Sequence, residues 1–529
     1  MKPLFWIVLL SQLAACASHP GPAPTAKDSP VFDILVVGGT VYDGGLAAGV
    51  VGNIGIRDGY IATLHADADA KARTIIDASD LIVVPGFIDP HTHAGADLLD
   101  PERNSNLNYL MQGVTTVFIG NDGGGLPGGA TVLASFENQG IGTNLAFFSG
   151  HGSIREAVMG RDDRAPNAAE LTAMQERVAA DMELGALGLS TGLYYVPGTY
   201  AGTDEVVALA KVAAAAGGVY DTHIRDESNY NIGVLGAIAE TIEIAQRAAI
   251  PVNISHIKAL GQDVWGQSAD MIALIDAARA EGALVTANQY PWRASGTRLS
   301  AALIPRWALA GSKQEVANRL VDPDQGPRIR AAMSANLKRR GGPASQLITG
   351  PGSPYQGKSL SEIAAEQNVD PITVAVEIIM SEDPPIASFV MQEDDILRLA
   401  VQPWVMTGSD GSPGHPRKFA TYPKAWQQLV TTGLLTTEQF VHRSSGQVAH
   451  TFGLCKRGYL KPGYSADIAI IDPAGFIANA SYQAPTKLSA GVHYLIVNGV
   501  VAIDEQHYAG ELPGQVLRHH GCDTSVARD

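Results

Sequence analysis

Leu81-Ile82-Val83-Val84-Pro85-Gly86-Phe87-Ile88, followed by Asp89-Pro90-His91-Thr92-His93, is the stretch that decides how this chain is read. A short apolar run with β-branched residues reads as a buried strand. Strand side chains alternate, so His91 and His93, two residues apart at its end, point to the same face. Both are placed to share one divalent metal ion above a rigid platform. The question then moves outward, to whether later strand ends supply further ligands.

Seven more strand-like runs follow, at 114–120, 144–149, 186–190, 218–222, 251–255, 284–288 and 404–408. Helical patterns lie between them. Ser268 can cap a segment with Met271, Leu274, Ile275 and Ala278 on one face, stopped by Gly282. Thr203 can cap another, with Val206, Leu209, Ala210 and Ala213 inward and Gly217 at the end. Eight strands, each followed by a helix, predict an α/β fold: a parallel (β/α)8 TIM-like barrel over residues 86–449. The stretch from about 300 to 400 is too long for one crossover and is expected to be an insertion near the catalytic mouth.

Both ends of the chain have a different texture. Ile34-Leu35-Val36-Val37 and Asn53-Ile54-Gly55-Ile56 precede an Asp58-Gly59 hairpin signal, and Tyr494 to Val501 contains Asn498-Gly499. Residues 32–85 plus 450–512 are therefore expected to form one small β-sandwich domain.

The chain has 529 residues and 46% hydrophobic content, enough for a sizeable core and a second unit. Its 37 basic against 53 acidic residues give a net charge of −16, with no basic run, which argues against nucleic acid as a partner. Lys2 followed by Leu4-Phe5-Trp6-Ile7-Val8-Leu9-Leu10 reads as a signal peptide over residues 1–15, far too short to span a bilayer. Leu13-Ala14-Ala15-Cys16 resembles a bacterial lipobox, with residues 16–31 as a tether. The expected location is the bacterial cell envelope, lipid-anchored and facing the periplasm, with membrane contact through that anchor only. Ordinary cleavage, giving a soluble periplasmic or secreted protein, is the alternative. Cys455 and Cys522 alone do not imply a disulfide framework.

Chemistry on a barrel sits at the C-terminal ends of its strands. Those ends carry His91 and His93, then Asn121-Asp122, His151, Ser190 to Tyr195, His223-Ile224-Arg225, His256-Ile257-Lys258, Asn288-Gln289-Tyr290 and Ser409-Asp410-Gly411. Five of the 14 histidines fall there, with Asp410. Imidazole and carboxylate ligands suit zinc or a similar ion.

The chain resembles the amidohydrolase superfamily, and within it the N-acyl-D-amino-acid deacylase (D-aminoacylase) group. The resemblance rests on Pro85 to His93, Gly185 to Gly198, Thr222 to Glu227, Ile254 to Lys258, Gly408 to Gly411, His415-Pro416-Arg417 and Thr421-Tyr422-Pro423. It implies a zinc-dependent hydrolase of N-acyl amino acids on a barrel with a flanking β-sandwich. By motif, His91, His93 and Asp410 would hold one metal ion, and His223 and His256 a second. Where the group commonly has Cys, this chain has Asp122, a harder ligand that can still bind or bridge. One or two zinc ions are therefore both open.

The implied reaction has a metal-activated water attacking the amide, with Asp410 as general base and then general acid. Lys258 is expected to meet the substrate carboxylate, with Tyr195 and Tyr290 beside it. Arg225 is expected to face the mouth or to pair with Asp226 or Glu227, and His151 to touch substrate or serve structurally. Trp292 to Thr297 departs from the group's pattern, which leaves side-chain preference open. Two alternatives stand beside this reading: a dipeptidase of D-configured dipeptides, and a non-catalytic metal-binding lipoprotein.

Overall fold

The computed structural model describes residues 31–126 and 128–519. The expected signal peptide, Cys16 and Cys522 lie outside the described residues, as does all but Val31 of the expected tether.

Among the described residues, segments from near both ends of the chain meet in one nine-stranded sheet. Phe32–Val41 pairs antiparallel with Val50–Arg57 and parallel with Ala72–Asp77 and Ile82–Pro85. Ile82–Pro85 then pairs antiparallel with Ile468–Ile471, which leads on to Val492–Val497 and Val500–Asp504. Alternation along Ile468–Ile471 serves two cores at once. Ile468 and Ile470 pack with Ile34, Val36 and Ile54, while Ala469 and Ile471 pack into the main core of the chain.

That main core surrounds eight parallel strands, labelled here in chain order. They are β1 (Phe87–Asp89), β2 (Val114–Ile119), β3 (Asn144–Phe147), β4 (Gly188–Gly192), β5 (Val219–His223), β6 (Val252–Ile254), β7 (Val285–Gln289) and β8 (Val405–Thr407). β1 to β3 form one parallel arc. Ser149–Gly150, directly after β3, joins the second arc, which runs in order through β4 to β8. The strands are buried nearly throughout, as parallel strands covered on both faces must be. Past the ends of β8 and β1, Asp410 N donates to His91 O (2.9 Å) and His93 N to Gly411 O (3.3 Å). The fold is thus the expected parallel β/α TIM-like arrangement with a terminal β-sheet unit.

The helices lie outside the strands with the expected faces inward. Val206, Leu209, Ala210 and Ala213 of Thr203–Ala215 are buried, as are Met271, Ile275 and Ala278 of Ser268–Ala280. The capping expectation is corrected. Gly202 and Gln267 occupy the cap positions, while Thr203 donates to Glu240 (2.9 Å) and Ser268 to Asp395 (2.5 Å).

Between β7 and β8 the chain builds an antiparallel sheet of Ala294–Arg298, Pro385–Phe389 and Gln346–Ile348, with Pro385–Phe389 in the middle. Helices packed around it share a separate hydrophobic core that includes Leu299, Ile329, Met333, Ile363 and Ile378. Among the described residues no helix is long and apolar enough to cross a membrane.

Candidate metal centre

Asp122, just past β2, lies at the middle of four imidazoles. Its Oδ1 is 3.4 Å from His91 Nε2, 3.6 Å from His223 Nδ1 and 3.2 Å from His256 Nε2, and its Oδ2 is 3.6 Å from His93 Nε2. Asp410 closes one side, with Oδ1 3.1 Å from His93 Nε2 and 3.7 Å from His91 Nε2. The sequence-predicted ligands His91, His93, Asp122, His223, His256 and Asp410 are therefore brought together. His91, His223 and His256 are buried, whereas the His93 side chain is 36% exposed, so the cluster meets solvent on that side.

The backbone makes this convergence possible. Asp122, His256 and Asp410 all have left-handed backbones, at φ 55°, 36° and 47°. For non-glycine residues this costs roughly 1–3 kcal/mol each, and such conformations gather at functional sites. Beneath the cluster Asp221 of β5 accepts from Asn253 (2.7 Å), Ser255 (3.0 Å) and Asn121 (3.1 Å). Asp89 accepts from Ser409 N (3.0 Å) and His91 N (3.2 Å), and its burial, opposed by those Ser409 contacts, raises its pKa to about 7. Buried hydrogen bonds thus lock the strand ends that carry the ligands.

The donor set fits a transition ion. His91 is fully buried, yet neither of its ring nitrogens has a hydrogen-bond partner, and His223 Nε2 has none either. Buried polar atoms left unpaired are costly, and a metal ion held by His91 would relieve that cost at the ligating nitrogen. His91, Asp122, His256 and Asp410 each offer a ligand atom within 4.8 Å of the others, as do His223, Glu227 and His256. His256 Nδ1 faces Glu227 Oε1 at 3.1 Å, a contact that fixes the ring when Nε2 is a ligand.

Two cations beside the cluster, Lys258 and Arg417, are each paired with a carboxylate. Lys258 Nζ donates to Glu227 and lies 2.8 Å from His256 Nδ1, and Arg417 Nη1 lies 2.7 Å from Asp410 Oδ2. Burial pushes both carboxylates up, but Lys258 holds Glu227, and Arg417 holds Asp410, well below the carboxylate range. Tyr290 lies between the two cations, 5.7 Å from Lys258 Nζ and 4.7 Å from Arg417 Cζ, and its buried hydroxyl has no partner. The Tyr195 ring is 4.7 Å from that of His223. On its other side Tyr194 is overlain by Arg306 (3.7 Å) and accepts from Arg340 Nη2 (2.9 Å). Burial resists ionisation of Tyr194, yet Arg306 and then Arg340 outweigh it and lower the pKa.

Two expected site residues lie elsewhere. Arg225 is gripped by Glu240 through two 2.8 Å hydrogen bonds and donates to Thr199 O, so it pairs with neither Asp226 nor Glu227. The fully buried His151 bonds Glu205 at 2.8 Å, beside Arg155 on the same carboxylate. Glu227, Arg417 and Arg340 received no site role from sequence. The first two stand inside the quoted motifs, but Arg340 carries no sequence signal.

The cavity at the cluster is small, about 20 Å³, with Tyr195, His223, Lys258, Arg340 and Asp410 among its walls. Tyr195 also borders a cavity of about 450 Å³ against the segment between β7 and β8.

Comparison with known proteins follows the same lines. A family model described as "Amidohydrolase family" matches residues 74–503. The D-aminoacylase of Alcaligenes xylosoxydans xylosoxydans is 33% identical over 521 residues, 93% of this chain and 98% of that protein. The solved N-acyl-D-glutamate deacylase of Bordetella bronchiseptica, complexed with zinc and a phosphonate mimic of the tetrahedral intermediate, superposes with a TM-score of 0.79. It is 32% identical over 92% of this chain and 99% of its own. A D-aminoacylase structure, described as having a binuclear metal centre with one-metal activation and second-metal attenuation, gives 0.78 at 32% identity, covering 92% and 100%.

Proposed function

The chain belongs to the amidohydrolase family, and we propose that it is a metal-dependent deacylase of N-acyl-D-amino acids, releasing a carboxylic acid and a free D-amino acid. The observation that carries this reading is the convergence of His91, His93, His223 and His256 on Asp122, 3.2–3.6 Å away, with Asp410 alongside.

His91, His93 and Asp410 would hold one zinc ion and His223 and His256 a second, with Asp122 within reach of both groups. When bound, zinc supplies Lewis acidity, polarising the acyl carbonyl and easing deprotonation of water near neutral pH. Asp410 accepts the proton of the attacking water at Oδ1, which faces His91 and His93, while Arg417 anchors Oδ2. It then returns that proton to the departing amine nitrogen. Glu227 and Lys258 keep His256 oriented from behind. The partner is a small N-acyl amino acid, and the named relatives favour it over a D-configured dipeptide. Their hydrolase activity also counts against a non-catalytic metal-binding lipoprotein.

Purified protein supplied with zinc should hydrolyse N-acetyl-D-amino acids in preference to N-acetyl-L-amino acids and dipeptides. Turnover of the L series alone would overturn the assignment. Asp410→Asn should lower kcat by about 10²–10⁴-fold, the span of a lost general base, with metal content largely kept. Unchanged hydrolysis would remove Asp410 from the mechanism.

For location we infer, from Leu13-Ala14-Ala15-Cys16 alone, acylation at Cys16 and anchoring in the bacterial envelope facing the periplasm. Labelled palmitate should enter the wild type and not Cys16→Ser; label in both would refute it.

A further inference from the structure

The cavity of about 450 Å³ between Tyr195 and the segment joining β7 to β8 has no task in the hydrolysis of a small amide. It adjoins the chamber at the metal cluster at two points of the chain. Tyr195 lines both spaces, and Thr297 of the chamber is followed directly by Arg298 of the cavity. Much of its wall is apolar. Ile304 and Leu320 belong to the separate core of the inserted segment, and Leu309, Val316 and Ile379 pack against that core. The carboxylates on its border are already engaged. Asp383 accepts from Ser300 N (2.8 Å) and Oγ (2.7 Å), and Glu382 accepts from Ser353 (2.7 Å). Lys258 and Arg417, the cations paired beside the cluster, do not line it. One water takes roughly 30 Å³ in the liquid, so the cavity has far more room than the methyl of an acetyl group fills. Apolar walls favour hydrocarbon over water as the occupant.

We propose that this cavity receives the acyl chain of the substrate, so that the preferred substrates are D-amino acids carrying a medium-length or long fatty acyl group. The inference rests on the deacylase reading and deepens it. With the scissile amide at the metal cluster, the alkyl chain passes Tyr195 and lies against the inserted segment, which thereby selects for acyl length.

The test uses two substrate series, N-acyl-D-leucines and N-acyl-D-glutamates, each with acetyl, butyryl, hexanoyl and octanoyl groups, on the zinc-supplied full chain. In the better series kcat/KM should rise by about three- to fourfold for each methylene buried. Ala317→Trp, on helix Lys313–Val321, puts a large side chain into the cavity. It should lower the octanoyl-to-acetyl ratio of kcat/KM by about tenfold or more, the loss of two or more buried methylenes. Ala301→Phe, on helix Leu299–Leu303, fills the same space from another element and decides the matter should the first variant fail to fold. Hexanoyl should also exceed adipoyl, its analogue with a terminal carboxylate, because an apolar wall strips that carboxylate of water. A preference for adipoyl would give the cavity to anions, through Arg161 and Lys313 on its border, and overturn the proposal. Active acetyl substrates with no gain along the series would overturn it too, as would a ratio unmoved in the folded variants, and both would leave the deacylase reading standing. Inactivity on every member of both series would overturn the deacylase reading and this inference with it.

Discussion

At Asp122 one carboxylate reaches all four imidazoles, and Cys in its place would offer a single soft sulfur instead of two hard oxygens. Asp122→Cys should therefore raise the tightly held zinc per chain after dialysis, read by elemental analysis; unchanged stoichiometry would show that this ligand does not set occupancy. Metal uptake should also release protons. Burial and Lys258 lower the His256 pKa, but Asp410 and Asp122 prevail and raise it to about 9, so the metal-free ring carries an extra proton at pH 7. A metal at Nε2 displaces that proton, so affinity should strengthen as pH rises towards 9. Calorimetry in buffers of different ionisation enthalpy should detect about one proton per ion at this position. The histidines were legible because they cluster at strand ends, His223 closing β5 and His91, His93 and His256 following within four residues of β1 and β6, although strict alternation covers only His223. Period-two alternation does not carry past a strand end: β5 stops at His223, so Arg225 lies in a loop and turns to Glu240. Glu227 and Arg417 acquire roles only through pairing across distant loops, which spacing does not encode.

Among the elements, the helix faces were readable from their 3.6-residue period, whereas caps were displaced by one residue because Thr203 and Ser268 bond to side chains of other elements. The fold of the segment between β7 and β8 was not readable beyond its excess length. Its three strands are short and pair antiparallel across about 90 residues of chain, and its core is separate from that of the main strands. That separateness is testable. Met333 is fully buried in this core, on the helix that leads into Arg340. Met333→Ala should cost about 2–5 kcal/mol by leaving a cavity. Denaturant unfolding should show that loss in a transition affecting this segment first, with loss of kcat/KM preceding loss of parallel-strand structure. Simultaneous loss would show one cooperative unit.

Taken whole, the molecule binds its two ends to the strands that carry the site. Asp467, in the chain entering Ile468–Ile471, accepts from Asn498 N (2.8 Å), Asn144 of β3 and Arg457, while its own carbonyl accepts from Gly86 N (2.8 Å). The first metal ligands follow a few residues after Gly86, so their placement is coupled to a sheet built from both termini. The β-rich texture of the two ends points to one shared unit, whereas the individual side-chain bonds that close it, such as Asp467 to Asn144, are not encoded in spacing. The chamber at the cluster has a further consequence. About 20 Å³ holds a single water molecule, whereas an N-acetyl amino acid has about ten heavy atoms or more. Substrate entry should therefore displace side chains that line the cavity, Tyr195 among them. Motion of that kind works against solvent friction, so kcat/KM should fall as sucrose thickens the medium, and an unresponsive rate would place the bottleneck in bond breaking. A rate that falls with viscosity would instead set the enzyme's tempo at its doorway, by how often the lining opens.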